Sequence, residues 1–278
     1  MIRLFLTYIL LILCFNSCKK DVSAFVFHPG IESRVSECLS STNRVPDAIS
    51  IDTGNFTFAV FSDIHITEDN LHFLDHIRDD VEKYDIDFCI VAGDLTENGL
   101  TYEFSTSQRD LWQIGVPYYV TIGNHDLYQQ DSWEKWLQYF GASVYSIQLS
   151  NFLQIIFLDT TSGLIGKKQM DWLENELKNS LKKTIVVSHY PIYNGKSPSI
   201  WRLSSSEERY KLLSMFRDSD VLAYISGHYH GFEHYSISDM HHFTVGSMYP
   251  ESLDSGTHGY LLCSFKNGNF EWEKVELE

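Results

Sequence analysis

Residues 56–65 read FTFAVFSDIH, an apolar run that ends in an aspartate and a histidine. A run of this length, rich in aromatic and β-branched residues, is typical of a buried strand. The same pattern recurs in DFCIVAGD (87–94), PYYVTIGNHD (117–126), KTIVVSHY (183–190) and VLAYISGHYH (221–230). Because stretches of helical periodicity separate these runs, the sequence predicts an α/β fold.

The positions of the other elements follow from the same two periodicities. Apolar runs predict strands at 56–61, 88–92, 118–122, 152–158, 184–187 and 221–225. Helical spacing predicts helices near 71–84, 102–113, 133–140, 168–181 and 207–217. After His230 the pattern changes to strand-like runs near 241–245, 259–265 and 270–275, with no helix between them. These last runs predict a second, antiparallel sheet.

Residue types that bind metals gather where the predicted strands end. Open α/β sheets bind ligands at the carboxyl ends of their strands, and histidine and aspartate are rarely buried without partners. A pair of divalent cations would compensate such a group. Imidazole, carboxylate and amide ligands without thiolate favour Zn, Mn or Fe. The candidate residues are Asp63, His65, Asp94, Asn124, His125, His189, His228 and His230.

Local spacing supports a shared site. Asp63 and His65 are two residues apart, as are His228 and His230, so in extended backbone each pair projects to one side. Two cations about 3.5 to 4 Å apart need a bridging carboxylate, and Asp94 is the candidate for this bridge. Asp159 ends a further apolar run, and we interpret it as a helix or turn cap, or as support for the ligands, in preference to a ligand.

Taken in order, these blocks resemble the calcineurin-like metallophosphoesterase superfamily, whose signature is Asp-x-His, Gly-Asp, Gly-Asn-His-Asp/Glu, His and Gly-His-x-His. The wording of GDLTENG (93–99) and SHYP (188–191) is most similar to the branch of cyclic-nucleotide and glycerophosphodiester phosphodiesterases. The matching blocks are Asp63-Ile64-His65, Gly93-Asp94, Gly123-Asn124-His125-Asp126, His189 and Gly227-His228-Tyr229-His230.

The resemblance implies a four-layer αββα sandwich, two mixed β-sheets flanked by helices, with two divalent or transition metal ions (Mn, Fe or Zn). One metal would take Asp63, His65, Asp94 and His230. The other would take Asp94, Asn124, His189 and His228. His125 would be the histidine that lies beside the phosphate without binding a metal.

The implied activity is hydrolysis of a small phosphate ester, a phosphodiester or a phosphomonoester, by hydroxide that the metals activate. His125 would donate a proton to the leaving group, with its imidazolium held by a carboxylate such as Asp126. The alternative is a catalytically silent, metal-bound surface lipoprotein that acts as a binding scaffold. The intact ligand set and His125 favour the enzyme. The segment 194–204 either overhangs the site and sets substrate choice or is a plain surface loop.

Composition and charge exclude several classes of protein. With 278 residues, 44% of them hydrophobic, the chain can bury one large core. Its 37 acidic against 21 basic residues give a net charge of −16, which excludes nucleic acid as a general partner. The five cysteines form no zinc-type pairs, so no thiolate metal site is predicted. Oligomeric state is left open by the sequence.

The amino terminus predicts export. Residues 1–17 combine Arg3 with a short apolar stretch, as in a secretion signal, and Cys18 fits the lipid-modified cysteine of a bacterial lipoprotein. We therefore expect a lipid-anchored protein of the bacterial cell envelope, on the periplasmic or surface side, with plain secretion or an uncleaved anchor as alternatives. Residues 18–54 are interpreted as the lipidated cysteine and a tether, with room for a short strand at 25–27. The metallophosphoesterase domain would then span 55–278.

Overall fold

The computed structural model describes residues 28–41, 45–49, 51, 54–67, 74–149, 151–180, 182–195, 201–248 and 258–277. Within these residues eleven strands form two mixed sheets. The strands are β1 (Asn55–Phe61), β2 (Ile86–Ala92), β3 (Tyr118–Thr121), β4 (Tyr145–Gln148), β5 (Leu153–Phe157), β6 (Lys183–Val187), β7 (Val221–Ser226), β8 (Glu233–Ile237), β9 (Met240–Thr244), β10 (Gly259–Lys266) and β11 (Asn269–Glu276). One sheet has the order β11-β10-β1-β2-β3 and the other β4-β5-β6-β7-β9-β8.

Helices cover the outer faces of both sheets. Alternate residues of one strand enter different cores: Ile155 and Phe157 of β5 pack in the core between the sheets, whereas Ile156 packs with Leu173 and Phe216 on the outer face. This period of two is what a strand buried on both faces requires. The described α-helices are α1 (Ile31–Ser40), α2 (Asp75–Tyr84), α3 (Thr101–Gln113), α4 (Ser132–Tyr139), α5 (Lys167–Asn179) and α6 (Ser206–Asp218). The four-layer αββα sandwich is thus confirmed.

The parallel strands set the position of the site. β1, β2 and β3 are parallel neighbours in one sheet, and β5, β6 and β7 are parallel neighbours in the other. The carboxyl ends of each set therefore meet at one edge of their sheet. The two edges are joined where the His228 backbone N–H donates to Asp63 Oδ2 at 3.0 Å.

The prediction of a separate antiparallel sheet at the carboxyl terminus is wrong. β9 pairs parallel with β7 and β8 extends the same sheet, whereas β10 pairs antiparallel with β1 in the other sheet. β10 is buried on both faces over most of its length, so it takes an interior position beside β1 and only β11 lies at the edge. The short strands β4 and β8 were not predicted: β4 alternates but has only four residues, and β8 shows no clear alternation.

The predicted tether contains a packed helix. α1 buries Arg34, Val35 and Cys38 against the domain, and Glu37 accepts a hydrogen bond from Trp133 Nε1 at 3.0 Å. The interpretation of residues 31–40 as tether is therefore wrong: the helix is only ten residues long, too short to show a long periodicity, and its buried face includes an arginine. The predicted signal peptide, Cys18 and the short strand at 25–27 lie outside the described residues. No helix among the described residues is long and apolar enough to cross a membrane.

Candidate metal centre

All seven predicted metal ligands lie in loops that follow strands β1, β2, β3, β6 and β7. Asp63, His65 and His230 form one group, in which His230 Nε2 lies 3.3 Å from Asp63 Oδ1 and 3.2 Å from His65 Nε2. The potential donor atoms of this group all lie within 4.8 Å of one another. The first group of three donors therefore converges on one point.

A second group forms around Asp94. Asp94, His189 and His228 also bring their donor atoms within 4.8 Å, and His189 Nε2 lies 3.1 Å from Asp94 Oδ2. Asn124 Oδ1 is 3.2 Å from the same His189 nitrogen. Asp94 Oδ2 is also 3.8 Å from His65 Nε2 in the first group. One carboxylate oxygen thus faces both groups, as a bridge would.

The backbone reaches this geometry by a route that the sequence analysis did not foresee. Five of the ligands have left-handed backbone, with φ of 53° at Asp63, 49° at His65, 52° at Asp94, 69° at His228 and 60° at His230. The expectation that extended backbone aligns the i, i+2 pairs is therefore wrong. Positive φ is uncommon outside glycine and costs conformational energy, and such residues cluster at functional sites.

Two glycines allow the loops to approach one another. A Cβ on Gly93, whose φ is +93°, would lie 2.4 Å from His189 Nδ1. A Cβ on Gly123 would lie 2.1 Å from Asp94 Oδ1, the oxygen that accepts the His125 backbone N–H at 2.8 Å. Any larger residue at either position would displace a ligand.

The charges of the cluster suit cations. Asp63 and Asp94 are buried, and Asp63 Oδ1 accepts no hydrogen bond. Burial opposes ionisation of Asp63, but the charge of His230 outweighs it and lowers the pKa to about 2. Burial likewise opposes ionisation of Asp94, and the charges of neighbouring histidines, with His189 first, hold its pKa well below the usual range. Buried carboxylates that stay ionised need adjacent positive charge, so the donor set fits a pair of divalent cations.

The surrounding charges shift the pKa values of His189 and His228 in opposite directions. Burial disfavours a charge on His189, but the Asp94 and Asp63 carboxylates raise its pKa to about 9. Burial and the charge of His189 lower the pKa of His228 to about 3. A neutral imidazole, as at His228, is the form that binds a metal.

Groups behind the ligands fix their orientation. His189 Nδ1 lies 2.9 Å from the Ala92 carbonyl oxygen, and His65 Nδ1 lies 2.9 Å from Glu97 Oε2. The Tyr190 ring stacks on His228 with centroids 3.7 Å apart. Such contacts select the tautomer and the ring direction of a ligating histidine.

The predicted role of Asp126 is wrong. Its carboxylate accepts hydrogen bonds from the backbone N–H groups of Thr96 and Gly123 and from the Thr96 hydroxyl, all at 2.9 Å, and does not contact the His125 ring. His125 Nδ1 instead donates to the Glu97 carbonyl oxygen at 2.8 Å and lies 3.5 Å from Glu97 Oε2. Adjacent side chains on a tight turn point in different directions, so Asp126 points away from the His125 ring. It instead ties together the loops that contain Thr96 and Gly123.

Glu97 is the residue that the sequence analysis missed at this position. It lies in the GDLTENG stretch, three residues after Asp94, and its side chain contacts both His65 and His125. Its carboxylate also lies within 4.8 Å of the nitrogens of those two histidines, so the three form a further set of potential donors. The one available signal was an acidic residue close to a predicted bridge.

A cavity of about 510 Å³ opens beside Asn124. Tyr128 and Tyr190 line it, and each also packs on a histidine of the site: Tyr128 on His125, with centroids 4.3 Å apart, and Tyr190 on His228. The opposite wall is the amino-terminal segment, with His28, Pro29, Gly30 and Arg34. The segment interpreted as a tether therefore forms part of the site.

Asp159 is a turn cap, as predicted. Its carboxylate accepts the Thr161 N–H at 3.2 Å and pairs with Arg34, whose Nε and Nη2 lie 2.9 and 3.0 Å from the two oxygens. Among the described residues it belongs to no group of metal donors. In the segment 194–204, the Trp201 ring packs near His228, with centroids 5.5 Å apart. This end of the segment lies over the site.

The comparisons with known proteins agree with this geometry. The family model described as Calcineurin-like phosphoesterase matches residues 56–232, more than half of the chain. A probable cyclic nucleotide phosphodiesterase of Ruthia magnifica subsp. Calyptogena magnifica is 29% identical over 198 residues, which cover 63% of this chain and 78% of that protein. The probable purple acid phosphatase 20 of Arabidopsis thaliana is 25% identical over 244 residues, 77% of this chain but only 55% of the plant protein.

A solved structure shows the same fold. A dimetal phosphatase of Danio rerio superposes with a TM-score of 0.64 at 14% identity, over 80% of this chain and 98% of that one. The sandwich and its two donor groups thus define a metallophosphoesterase. The chain belongs to the calcineurin-like phosphoesterase family. This confirms the resemblance read from the five blocks and, at the level of the family, the expected class of phosphoric ester hydrolase.

Proposed function

We propose that this protein is a dinuclear-metal-dependent phosphoesterase that hydrolyses a small phosphate ester. The observation that carries the proposal is the pair of donor groups that share Asp94, whose Oδ2 faces His65 on one side and His189 on the other. One cation would be held by Asp63, His65, Asp94 and His230. The second would be held by Asp94, Asn124, His189 and His228. Mn, Fe and Zn all suit this donor set.

Two such cations would bind the phosphate oxygens, offset the charge of the transition state and supply hydroxide near neutral pH. The chain itself supplies the proton for the leaving group. Because the Glu97 carbonyl can only accept, His125 carries a hydrogen on Nδ1, and Nε2 is the nitrogen that exchanges a proton with the substrate. Glu97 positions this ring from behind, in place of Asp126.

The cavity beside Asn124 is where we place one organic group of the ester. Its volume of about 510 Å³ lies within the range of small-molecule sites. Tyr128 and Tyr190 form walls that run directly into the histidines of the metal centre. A phosphodiester or a phosphomonoester with a small organic group would fit this arrangement.

The test is metal-dependent turnover. The purified full chain, loaded in turn with Mn²⁺, Zn²⁺ and Fe²⁺, should hydrolyse bis(p-nitrophenyl) phosphate or p-nitrophenyl phosphate, and a chelator should abolish the activity. The metal content should be two ions per chain. Two bound metals without turnover on either ester class would favour the silent scaffold.

We further propose that the protein is exported and lipid-anchored at the bacterial cell envelope. The support is the sequence of residues 1–18, with a basic residue, a short apolar stretch and a cysteine. Cys18→Ala should move the protein out of the membrane fraction. A wild-type protein whose amino-terminal peptide carries no acyl mass would contradict the proposal.

A further inference from the structure

A second cavity, of about 540 Å³, lies between α6 and β8, away from the metal donors. Its charged lining consists of two arginines, one just before α6 and one on it. Three tyrosines and Ser236 provide the remaining polar side chains. The residues that matter for its chemistry are Tyr193, Arg202, Arg209, Tyr210 and Tyr235.

The two arginines have no acidic partner among the described residues. Arg202 Nε is shielded from solvent and makes no hydrogen bond, and Arg209 Nη1 donates to the carbonyl oxygens of Leu203 and Ser204. Other cations of the same helix do find carboxylates: Lys211 pairs with Glu174 and Arg217 with Asp218. In a chain with 37 acidic residues, two arginines that line one cavity without pairing with a carboxylate are unexpected.

Both arginines line this one cavity, so their positive charges share it. Burial and the charge of Arg202 lower the pKa of Arg209. Among the described residues, the Glu233 carboxylate lies against Tyr235, and no ion pair joins it to either arginine. Guanidinium forks bind phosphate through paired hydrogen bonds, and the hydroxyls of Tyr193 and Tyr210 can add further donors, whereas that of Tyr235 already bonds Glu233. The cavity is therefore built for a phosphate group.

This cavity is linked to the metal centre through two short segments. The Tyr190 ring stacks on His228, and three residues later Tyr193 lines the cavity and contacts Tyr235, with ring centroids 4.9 Å apart. Likewise Trp201 packs near His228 and the next residue, Arg202, lines the cavity. Three residues of chain span at most about 10 Å, so Tyr193 at the cavity lies within about that distance of Tyr190 at the metal centre, a separation that one extended ligand could bridge.

We propose that this cavity binds a second phosphate group of the substrate, so that the enzyme prefers esters that carry two phosphates. The inference rests on the proposed phosphoesterase function. It also gives the segment 194–204 a role at its described end, since Trp201 and Arg202 connect the two places.

The experiment compares matched substrates. p-Nitrophenyl alkyl phosphodiesters with three- and six-carbon chains are prepared in two forms, one ending in a hydroxyl and the other in a phosphate. For at least one chain length, the wild type should have a kcat/KM that is about 10- to 100-fold higher for the phosphate-ended ester, the size expected for charge-assisted hydrogen bonds. In the Arg202→Gln/Arg209→Gln variant this ratio should fall to about 1.

Controls separate charge from folding. Lys211→Gln removes a positive charge from the same helix and should keep the wild-type ratio. Arg202→Gln alone should lower the ratio without affecting the fold, because Nε of this side chain makes no hydrogen bond and no carboxylate among the described residues pairs with it. Free butyl phosphate added with the hydroxyl-ended ester should not activate it. Arginine-dependent activation would assign the cavity to a separate effector and overturn the proposal.

The two proposals fail in different ways. If the wild type hydrolyses both esters of each pair equally well, the second phosphate site is wrong and the phosphoesterase stands. If the wild type hydrolyses neither ester with any metal, the proposed function is wrong and this inference fails with it.

Discussion

This molecule contains two buried clusters of charged groups, and they are neutralised in different ways. At Arg34 and Asp159 the guanidinium meets both carboxylate oxygens, at 2.9 and 3.0 Å, and the charges cancel within the chain. At the metal centre, Asp63 and Asp94 face imidazoles that face one another, with His65 Nε2 and His230 Nε2 3.2 Å apart. We interpret a buried cluster whose charges are paired within the chain, the closed cluster, as structural. A buried cluster whose carboxylates need bound cations for neutralisation, the open cluster, is a candidate site for chemistry.

The closed cluster also supports the open one. Thr160 lies between Asp159 and Thr161, both of which contact Arg34, and its hydroxyl accepts the backbone N–H groups of His189 at 3.2 Å and of Tyr190 at 2.9 Å. The ion pair therefore anchors the loop that positions one ligand of the metal centre. The contrast between the clusters can be tested from either side.

The largest effect is expected at the bridge. Asp94→Asn removes the charge that both cations would share, so metal content should fall well below two per chain and turnover should fall by more than about 10³-fold. Metal analysis and kinetics on the same sample measure both. Asp110→Asn is the matched control, since Asp110 is a buried aspartate that pairs with Arg109 away from the site. Two retained metals with normal turnover in Asp94→Asn would show that the cluster does not depend on this bridge.

The next effect separates proton donation from metal binding. His125→Ala should keep both metals but lose about 10² to 10⁴ in turnover on alkyl esters, whose leaving group needs a proton. The loss should be much smaller for nitrophenyl esters, because nitrophenolate is a weak base. His76→Ala, at an exposed position on α2, is the control. Equal losses on both ester types would mean that His125 positions the phosphate, and a loss of metal would make it a ligand.

The closed cluster is tested by a double-mutant cycle. Arg34→Met or Asp159→Asn alone leaves a buried group without its partner and should lower the free energy of unfolding by about 3 to 5 kcal/mol. The double variant should cost clearly less than the sum of the two. Urea unfolding of the metal-loaded chain measures all four proteins. Additive costs would show that the two side chains are not coupled.

The smallest effect is the pH dependence of that same pair. Burial opposes ionisation of Asp159, but the Arg34 charge outweighs it and lowers the pKa of Asp159 in the folded chain. The pair therefore contributes its full stability above the unfolded pKa of about 3.9 and loses it as pH falls through the lower folded value. The stability gap between wild type and Asp159→Asn should shrink as the pH is lowered below about 4. A gap that stays constant would contradict the assignment.

Much of the metal centre could be predicted from sequence because its chemistry is local to strand ends. Each predicted ligand follows an apolar run, and parallel strands bring such ends to one edge of a sheet, so Asp63 and Asp94, after β1 and β2, could be placed together without knowing the loops. His228 follows β7 of the other sheet, and its approach to Asp63 depends on how the two sheets pack. The loop geometry could not be predicted, since left-handed backbone is uncommon outside glycine: aspartate and histidine adopt it more often than most residues, but the residue type alone does not specify it at Asp63 or His230. The i, i+2 spacing correctly placed Asp63 and His65 in one group, but it did so by assuming extended backbone, whereas both residues are left-handed.

Long-range contacts account for the other errors. Arg34 and Asp159 are 125 residues apart, and neither carries a local signal for the other. β10 reads as one more strand of a carboxyl-terminal series, and only its burial on both faces places it beside β1. Glu97, and not Asp126, lies behind His125 because one turn directs the adjacent side chains of His125 and Asp126 to different sides.

Helix α1 has a practical consequence for anyone who expresses this protein. The family match begins at residue 56, so a recombinant fragment cut at that boundary would lack α1. Asp159 would then lie buried without its guanidinium, and one wall of the cavity beside Asn124 would be missing. Such a fragment would yield unstable, inactive material whatever metal was supplied, and its inactivity could be mistaken for the absence of an enzyme.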